Sequence, residues 1–213
     1  MNKTLKKLQE TGVIPVAVLE SSEQAAPMAE ALRDGGLPCV EITFRTEAAA
    51  DCIRTISEKH PEILVGAGTV LTIDQVNQAL EAGAQFIVSP GLNPKITEYC
   101  LDRGITIIPG CVTPSGIERA LSYGLEVIKF FPAEANGGLD MIRALAGPFT
   151  TVKFMPTGGI SPSNAKNYLE CDRVLACGGS WMVKKELLAA GNFGKITELA
   201  REAAEIVKKS RRR

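Results

Sequence analysis

Apolar, β-branched residues gather in short runs along this chain, and after most runs the apolar positions switch to a spacing of three and four. Eight runs have the length and content of a buried strand: 13–19, 39–43, 63–67, 85–88, 106–108, 126–130, 152–155 and 174–177. They recur about every 27 residues, the span of one strand, one helix and their connections. Between the first two, Ala25, Met28, Ala29 and Leu32 fall on one face at helical spacing. Gly35-Gly36, Gly83, Gly104 and Gly124 each stand just ahead of the next run, where a helix can end in the left-handed region. The repeated order of strand, helix, glycine and strand predicts parallel strands joined by right-handed crossovers.

Eight such units, with no linker or compositional break between them, predict a single-domain α/β fold over residues 1–213, a (β/α)8 TIM barrel. An open doubly wound sheet of fewer strands is the alternative. At 213 residues the barrel is stripped down, since about 250 is usual and about 200 is the lower end. Two helices stand outside the repeat. An extra N-terminal helix at 4–10 suits the barrel bottom, and a C-terminal helix at 192–209 turns Phe193, Ile196, Leu199, Ala200, Ala203 and Val207 inward.

Charge and cysteine usage narrow the function classes. The 24 Lys and Arg balance 24 Asp and Glu, which argues against nucleic acid or an anionic membrane as partner; the Arg211-Arg212-Arg213 tail reads as a solvated end. No stretch approaches the roughly 20 apolar residues of a membrane span, and the first residues lack a signal-peptide core, so a cytoplasmic location is expected. Cysteines at 39, 52, 100, 111, 171 and 177 are too scattered for a disulfide framework and read as reduced thiols. With no C-x-x-C pair and His60 as the lone histidine, neither a metal site nor a cofactor is expected.

In a barrel of this kind the reacting groups come from the C-terminal ends of the strands. Glu41 lies inside the run 39–43 and Lys129 inside 126–130, where an unpaired ion costs several kcal/mol to desolvate. Either charge alone reads as an outward, snorkelling side chain, and the two together as a buried structural pair. The second and sixth strands face each other across an eight-stranded barrel, however, which lets both charges meet at its centre. Desolvation among Ile128, Phe130 and Phe131 favours the neutral amine that attacks a carbonyl, and Glu41 is then the proton shuttle. Arg45, four residues on, suits a carboxylate bound through two hydrogen bonds, and Thr69, after Gly66-Ala67-Gly68, is a second donor. Pro156-Thr157-Gly158-Gly159 and Cys177-Gly178-Gly179-Ser180 follow the last two runs and read as a phosphate cradle. Trp181 and Tyr168 read as packing or subunit contact; Cys111 could line the pocket but has no base beside it.

The stretch Gly36-Leu37-Pro38-Cys39-Val40-Glu41-Ile42-Thr43-Phe44-Arg45 and the segment 124–137, with Lys129-Phe130-Phe131-Pro132-Ala133, resemble the two active-site motifs of the 2-keto-3-deoxy-6-phosphogluconate/4-hydroxy-2-oxoglutarate aldolase family. Gly66-Ala67-Gly68-Thr69, Ser89-Pro90-Gly91, Pro156-Thr157-Gly158-Gly159 and Gly178-Gly179-Ser180-Trp181 extend the resemblance over nearly the whole chain. It implies a metal-independent class I aldolase of Entner–Doudoroff carbohydrate metabolism, a homotrimer. Such an enzyme splits a small keto acid, 2-dehydro-3-deoxy-6-phosphogluconate, into pyruvate and glyceraldehyde 3-phosphate, and also 4-hydroxy-2-oxoglutarate into pyruvate and glyoxylate. Lys129 would form the imine and Glu41 would move protons. Arg45 and Thr69 would bind the pyruvyl carboxylate, Thr157 would line the pocket by the sugar hydroxyls, and Gly158, Gly159 and Ser180 would hold phosphate. Relatives often carry a basic residue after the first strand, where this chain reads Val18-Leu19-Glu20-Ser21-Ser22; Glu20 is expected to weaken phosphate binding. A 2-dehydro-3-deoxy-6-phosphogalactonate aldolase is an alternative. A phosphosugar isomerase or epimerase would leave the lysine without a covalent task, and a non-catalytic phosphometabolite-binding barrel would leave both charges unused.

Overall fold

Alternating strands and helices run through the computed structural model of the chain, which describes residues 1–211. The strands are β1 (Val13–Ala17), β2 (Cys39–Thr43), β3 (Leu64–Gly68), β4 (Ile87–Ser89), β5 (Ile107–Pro109), β6 (Val127–Phe130), β7 (Lys153–Pro156) and β8 (Cys177–Gly179). The helices are α1 (Lys3–Thr11), α2 (Ala25–Asp34), α3 (Ala49–Lys59), α4 (Ile73–Glu81), α5 (Pro94–Asp102), α6 (Pro114–Ser122), α7 (Gly138–Ala146), α8 (Ala165–Leu169), α9 (Lys185–Ala189) and α10 (Phe193–Ser210). Side-chain caps start many of them: Asn2, Thr72, Asn93, Thr113 and Asn192 each accept a hydrogen bond from an orphan N–H of the first turn. Gly36, Gly83, Gly104 and Gly124 all take positive φ just before the next strand, as their positions in the sequence predict.

All strand pairs are parallel. Six strands form one curled sheet, a half-barrel in the order β5-β4-β3-β2-β1-β8, and β6 pairs with β7 in a ladder of its own. Isolated bridges connect the two ladders on both sides, Gly110 with Lys129 on one and Phe154 with Val174 and Thr157 with Gly178 on the other. Alternation along each strand sends one set of side chains to the concave face and the other toward the helices. Ile14, Cys39, Leu64, Phe86, Val88, Ile108, Val127 and Met155 fill the concave side, closed at the strands' N-terminal ends by Leu5 and Leu8 of α1. The larger cluster lies between strands and helices, where α10 buries Ile196, Ala200, Ala203 and Val207.

β2 matches its hydrophobic run, β1 ends two residues early, β3 to β7 each begin one or two residues late, and β8 departs furthest. Val174 makes only an isolated bridge, while β8 begins at Cys177 and includes Gly178 and Gly179. The reason is tertiary: β1 offers Val13, Ile14 and Pro15 as partners for Cys177, Gly178 and Gly179, and that ladder overrides the poor strand propensity of glycine. Of the basic tail, Arg211 is exposed as expected, yet its side chain is tied down. Arg211 reaches back to donate to the carbonyls of Glu10 and Leu175 at 3.1 Å each, whereas Arg212 and Arg213 lie outside the described residues.

Candidate active site

Glu41 and Lys129 each stand two residues beyond a concave-face residue, Cys39 and Val127, so both side chains project from the same inner surface. They meet there. Lys129 Nζ donates to Glu41 Oε1 at 3.3 Å, with the carboxylate side chain fully buried and the lysine side chain 6% exposed. The other carboxylate oxygen, Glu41 Oε2, has no protein partner and is buried, so one acceptor of the pair is free for a reacting hydroxyl. Phe131 lies with its ring centroid 5.3 Å from Lys129 Nζ, an aromatic face that favours a cation and shields it from water.

Small residues make room for this pair. A Cβ on Gly68 would stand 2.0 Å from Glu41 Oε1, so only glycine lets the carboxylate cross the end of β3. Gly66 likewise lies beneath the Phe86 ring, which fills the concave face next to the carboxylate. Gly68→Ala is expected to displace Glu41 as an overpacked core does, with a stability loss of about 1–3 kcal/mol and a fall in kcat. Urea unfolding and steady-state turnover measure the two effects, and wild-type turnover in this variant would show that Glu41 can move without consequence.

The loops at the C-terminal strand ends enclose a cavity of about 540 Å3 lined by Val16, Val18, Arg45, Phe131, Thr157, Gly158, Gly159 and Ser180, among others. Its floor adjoins the ion pair, because Val16 pairs in register with Glu41 and Phe131 follows β6. Arg45 is positioned from two sides: Thr43 Oγ1 donates to the Ala17 carbonyl at 3.1 Å and Thr46 Oγ1 to the Leu19 carbonyl at 2.6 Å, tying the loop after β2 to the end of β1. Thr157 turns its buried, unpartnered Oγ1 over Gly178, where a Cβ would come within 2.4 Å of it. Gly158 and Gly159 have φ of 96° and 80°, backbone that a side chain would strain. Their loop is fixed by its carbonyls: Glu134 N donates to Gly158 O at 3.2 Å and Asn164 Nδ2 to Gly159 O at 3.0 Å. Tyr168 in turn donates a short hydrogen bond to Glu134.

The structure therefore brings Arg45, Thr157, Gly158, Gly159 and Ser180 to one cavity, with Glu41 and Lys129 buried beside its floor. Thr69 is not among the cavity's lining residues. It follows β3 at the strand end beside Arg45's own, since Thr43 pairs with Gly68, and it holds φ at 56°, a costly conformation for a β-branched residue. Cys111 is buried, lies outside this cavity, and burial pushes its thiol up to about 11, which removes the thiolate. Trp181 packs its ring where a Cβ of Gly179 would lie, a packing role as expected. Glu20 is not the isolated negative charge the sequence suggests: Lys185 Nζ sits 2.9 Å from Glu20 Oε1. Phe131, expected from the sequence to surround Lys129, lines the cavity as well, whereas Lys184 and Lys185 are cavity residues that the sequence reading does not single out; the Lys-Lys pair three residues after Trp181 is the signal there to read.

The chain is similar to known proteins over nearly its full length. The family model for the aldolases described as KDPG and KHG aldolase matches residues 4–199. The 2-dehydro-3-deoxy-phosphogluconate aldolase of Treponema pallidum is 52% identical over 200 residues, 94% of this chain and 95% of that one. The KHG/KDPG aldolase of Escherichia coli K12 is 50% identical over 193 residues, 91% of each. Among solved structures, the KDPG aldolase of Legionella pneumophila, with pyruvate captured at low pH as a covalent carbinolamine intermediate, superposes with a TM-score of 0.91 at 38% identity, covering 95% of this chain and 98% of that one. With the matched residues spanning both strands that carry the ion pair and the loops around the cavity, this chain belongs to the KDPG and KHG aldolase family.

Proposed function

We propose that the chain is a class I aldolase that cleaves 2-dehydro-3-deoxy-6-phosphogluconate to pyruvate and glyceraldehyde 3-phosphate, and 4-hydroxy-2-oxoglutarate to pyruvate and glyoxylate, through a Schiff base on Lys129. The observation that carries the reading is the buried Lys129–Glu41 contact at 3.3 Å, which lies behind Val16 and Phe131 in the wall of the cavity that holds Arg45 and the Gly158-Gly159 turn. The amine adds to the C2 carbonyl, giving a carbinolamine that loses water to an iminium ion. Glu41 takes the proton of the C4 hydroxyl as the C3–C4 bond breaks; the bonding electrons flow into the iminium and leave an enamine, and the aldehyde departs. Glu41 then returns a proton to C3, and water hydrolyses the imine to release pyruvate and the free lysine.

Arg45 and Thr69 bind the pyruvyl carboxylate, Thr157 faces the sugar hydroxyls, and Gly158, Gly159 and Ser180 hold the phosphate. Arg45, Thr157, Gly158, Gly159 and Ser180 are supported as one set by their common cavity. Thr69 is supported by its strained backbone beside the end of β2. The eight strands form one closed (β/α)8 barrel in a single domain, a reading supported by the bridges on both sides of the β6–β7 ladder. A homotrimer and a cytoplasmic place in the Entner–Doudoroff route complete the proposal on the strength of the family; sedimentation measures the trimer.

The imine mechanism needs only an amine and a carboxylate. Enzyme dialysed against a chelator is expected to keep full activity on 2-dehydro-3-deoxy-6-phosphogluconate, cleave 4-hydroxy-2-oxoglutarate, and act poorly on the C4 epimer of the six-carbon substrate. Activity lost to the chelator and restored by zinc or magnesium would overturn the mechanism. Preference for the C4 epimer would overturn the substrate while leaving the chemistry in place.

A further inference from the structure

The cavity carries more positive charge than the roles above employ. Besides Arg45 it is lined by Lys184 and Lys185 against one carboxylate, Glu186, and the side chain of Lys185 is paired with Glu20, which comes from the loop after β1. The two loops are neighbours because β1 and β8 pair in register, although Glu20 and Lys185 stand 165 residues apart. Their juxtaposition does not rest on the ion pair alone. Gln24 accepts from Glu20 N at 3.3 Å through its amide oxygen and donates to the Leu188 carbonyl at 3.2 Å through its amide nitrogen, so one side chain ties the Glu20 loop to the segment that begins at Lys185.

The pair itself is weak and exchangeable. Its side chains are 72% and 54% exposed, and such surface pairs contribute about 0–1 kcal/mol. A phosphate group carries close to two negative charges at neutral pH and offers more acceptor oxygens than a carboxylate, so it competes favourably for the same ammonium. Gly158, Gly159 and Ser180 line the same cavity, so a phosphate held there comes within reach of a lysine side chain rooted in its wall.

We propose that Lys185 is a specificity-determining residue that binds the phosphate of the substrate, and that Glu20 is its intramolecular competitor, holding the ammonium at the cavity mouth and yielding it when a phosphate dianion enters. This rests on the aldolase reading above. Glu20 therefore sets how strongly the enzyme prefers a phosphorylated keto acid, through the lysine and not by direct repulsion.

The test compares wild type, Lys185→Gln, Glu20→Gln and the double variant, each assayed for kcat/KM on 2-dehydro-3-deoxy-6-phosphogluconate and on 4-hydroxy-2-oxoglutarate. Both single changes break the same ion pair, so a merely structural strap would shift the ratio of the two values in one direction. Competition gives opposite signs. Lys185→Gln is expected to lower the phosphorylated-to-unphosphorylated ratio about tenfold through KM, and Glu20→Gln to raise it about threefold, in keeping with one charge-assisted contact. In the double variant the gain from Glu20→Gln should vanish. Shifts of the same sign, equal shifts for both substrates, or a gain that survives in the double variant would each overturn the proposal. Wild-type enzyme that cleaves neither keto acid would instead overturn the aldolase reading. Titration of inorganic phosphate into the same four proteins, followed by calorimetry, would then judge Lys185 by itself: weaker binding in Lys185→Gln and tighter binding in Glu20→Gln support it, and any other order overturns it.

Discussion

Lys129→Met, made together with Glu41→Gln, is expected to abolish turnover of both keto acids and the pyruvate adduct trapped by borohydride, while the chain keeps its fold. The second substitution is needed for a physical reason. Glu41 is fully buried and its Oε2 has no partner, so Lys129 is its one ion-pair partner among the described residues. Lys129→Ala alone would strand a carboxylate in the core, at a cost of about 3–5 kcal/mol. That is a large part of the roughly 5–15 kcal/mol by which a domain is stable, and lost activity could then reflect lost structure. Methionine replaces the aliphatic stem without the charge, and glutamine leaves no ion to compensate. Circular dichroism checks the fold, and peptide mapping of wild-type protein reduced in the presence of pyruvate checks the site. An adduct on Lys153 or Lys95 would remove Lys129 from the reaction.

Glu41→Gln as a single change is expected to lower kcat by about 10²- to 10⁴-fold, the range for a positioned general acid-base group. Glutamine has nearly the same shape and can still accept from Lys129, but it cannot take a proton from the C4 hydroxyl. Imine formation should also slow, since the water lost from the carbinolamine leaves with a proton. Single-turnover measurements separate the steps. If pyruvate adduct accumulates at the wild-type rate while cleavage is slow, Glu41 serves the C–C bond; if turnover remains near wild type, water or another group moves the proton.

The fold and the meeting of Glu41 with Lys129 were legible for different reasons. Strand and helix positions follow from periodicities that one segment carries by itself, such as Ala25, Met28, Ala29 and Leu32 on α2, all within the core or at its edge. Glu41 and Lys129 stand out because a charge inside an apolar run is costly, and that cost needs no structure to notice. The boundaries of β8 could not be read, because glycines enter a strand only when a neighbour such as β1 supplies the ladder. Lys185 was missed for a related reason. An exposed lysine near the start of a helix is ordinary in sequence, and its place in the cavity arises from the adjacency of two loops 165 residues apart. Gly68 reads as one small residue among several until the carboxylate crossing it is seen.

The two partners of the buried ion pair are carried by different hydrogen-bonded ladders. Glu41 belongs to the six-stranded sheet and Lys129 to the β6–β7 pair, and Lys129 itself forms an isolated bridge between them, accepting from Cys111 N at 2.9 Å. Warming that loosens such single bridges would part amine from carboxylate before either ladder frays. Loss of activity and loss of structure are then separate events in time, and the half-life of the enzyme at a given temperature reports on the joints between its two β units more than on the strength of the units themselves.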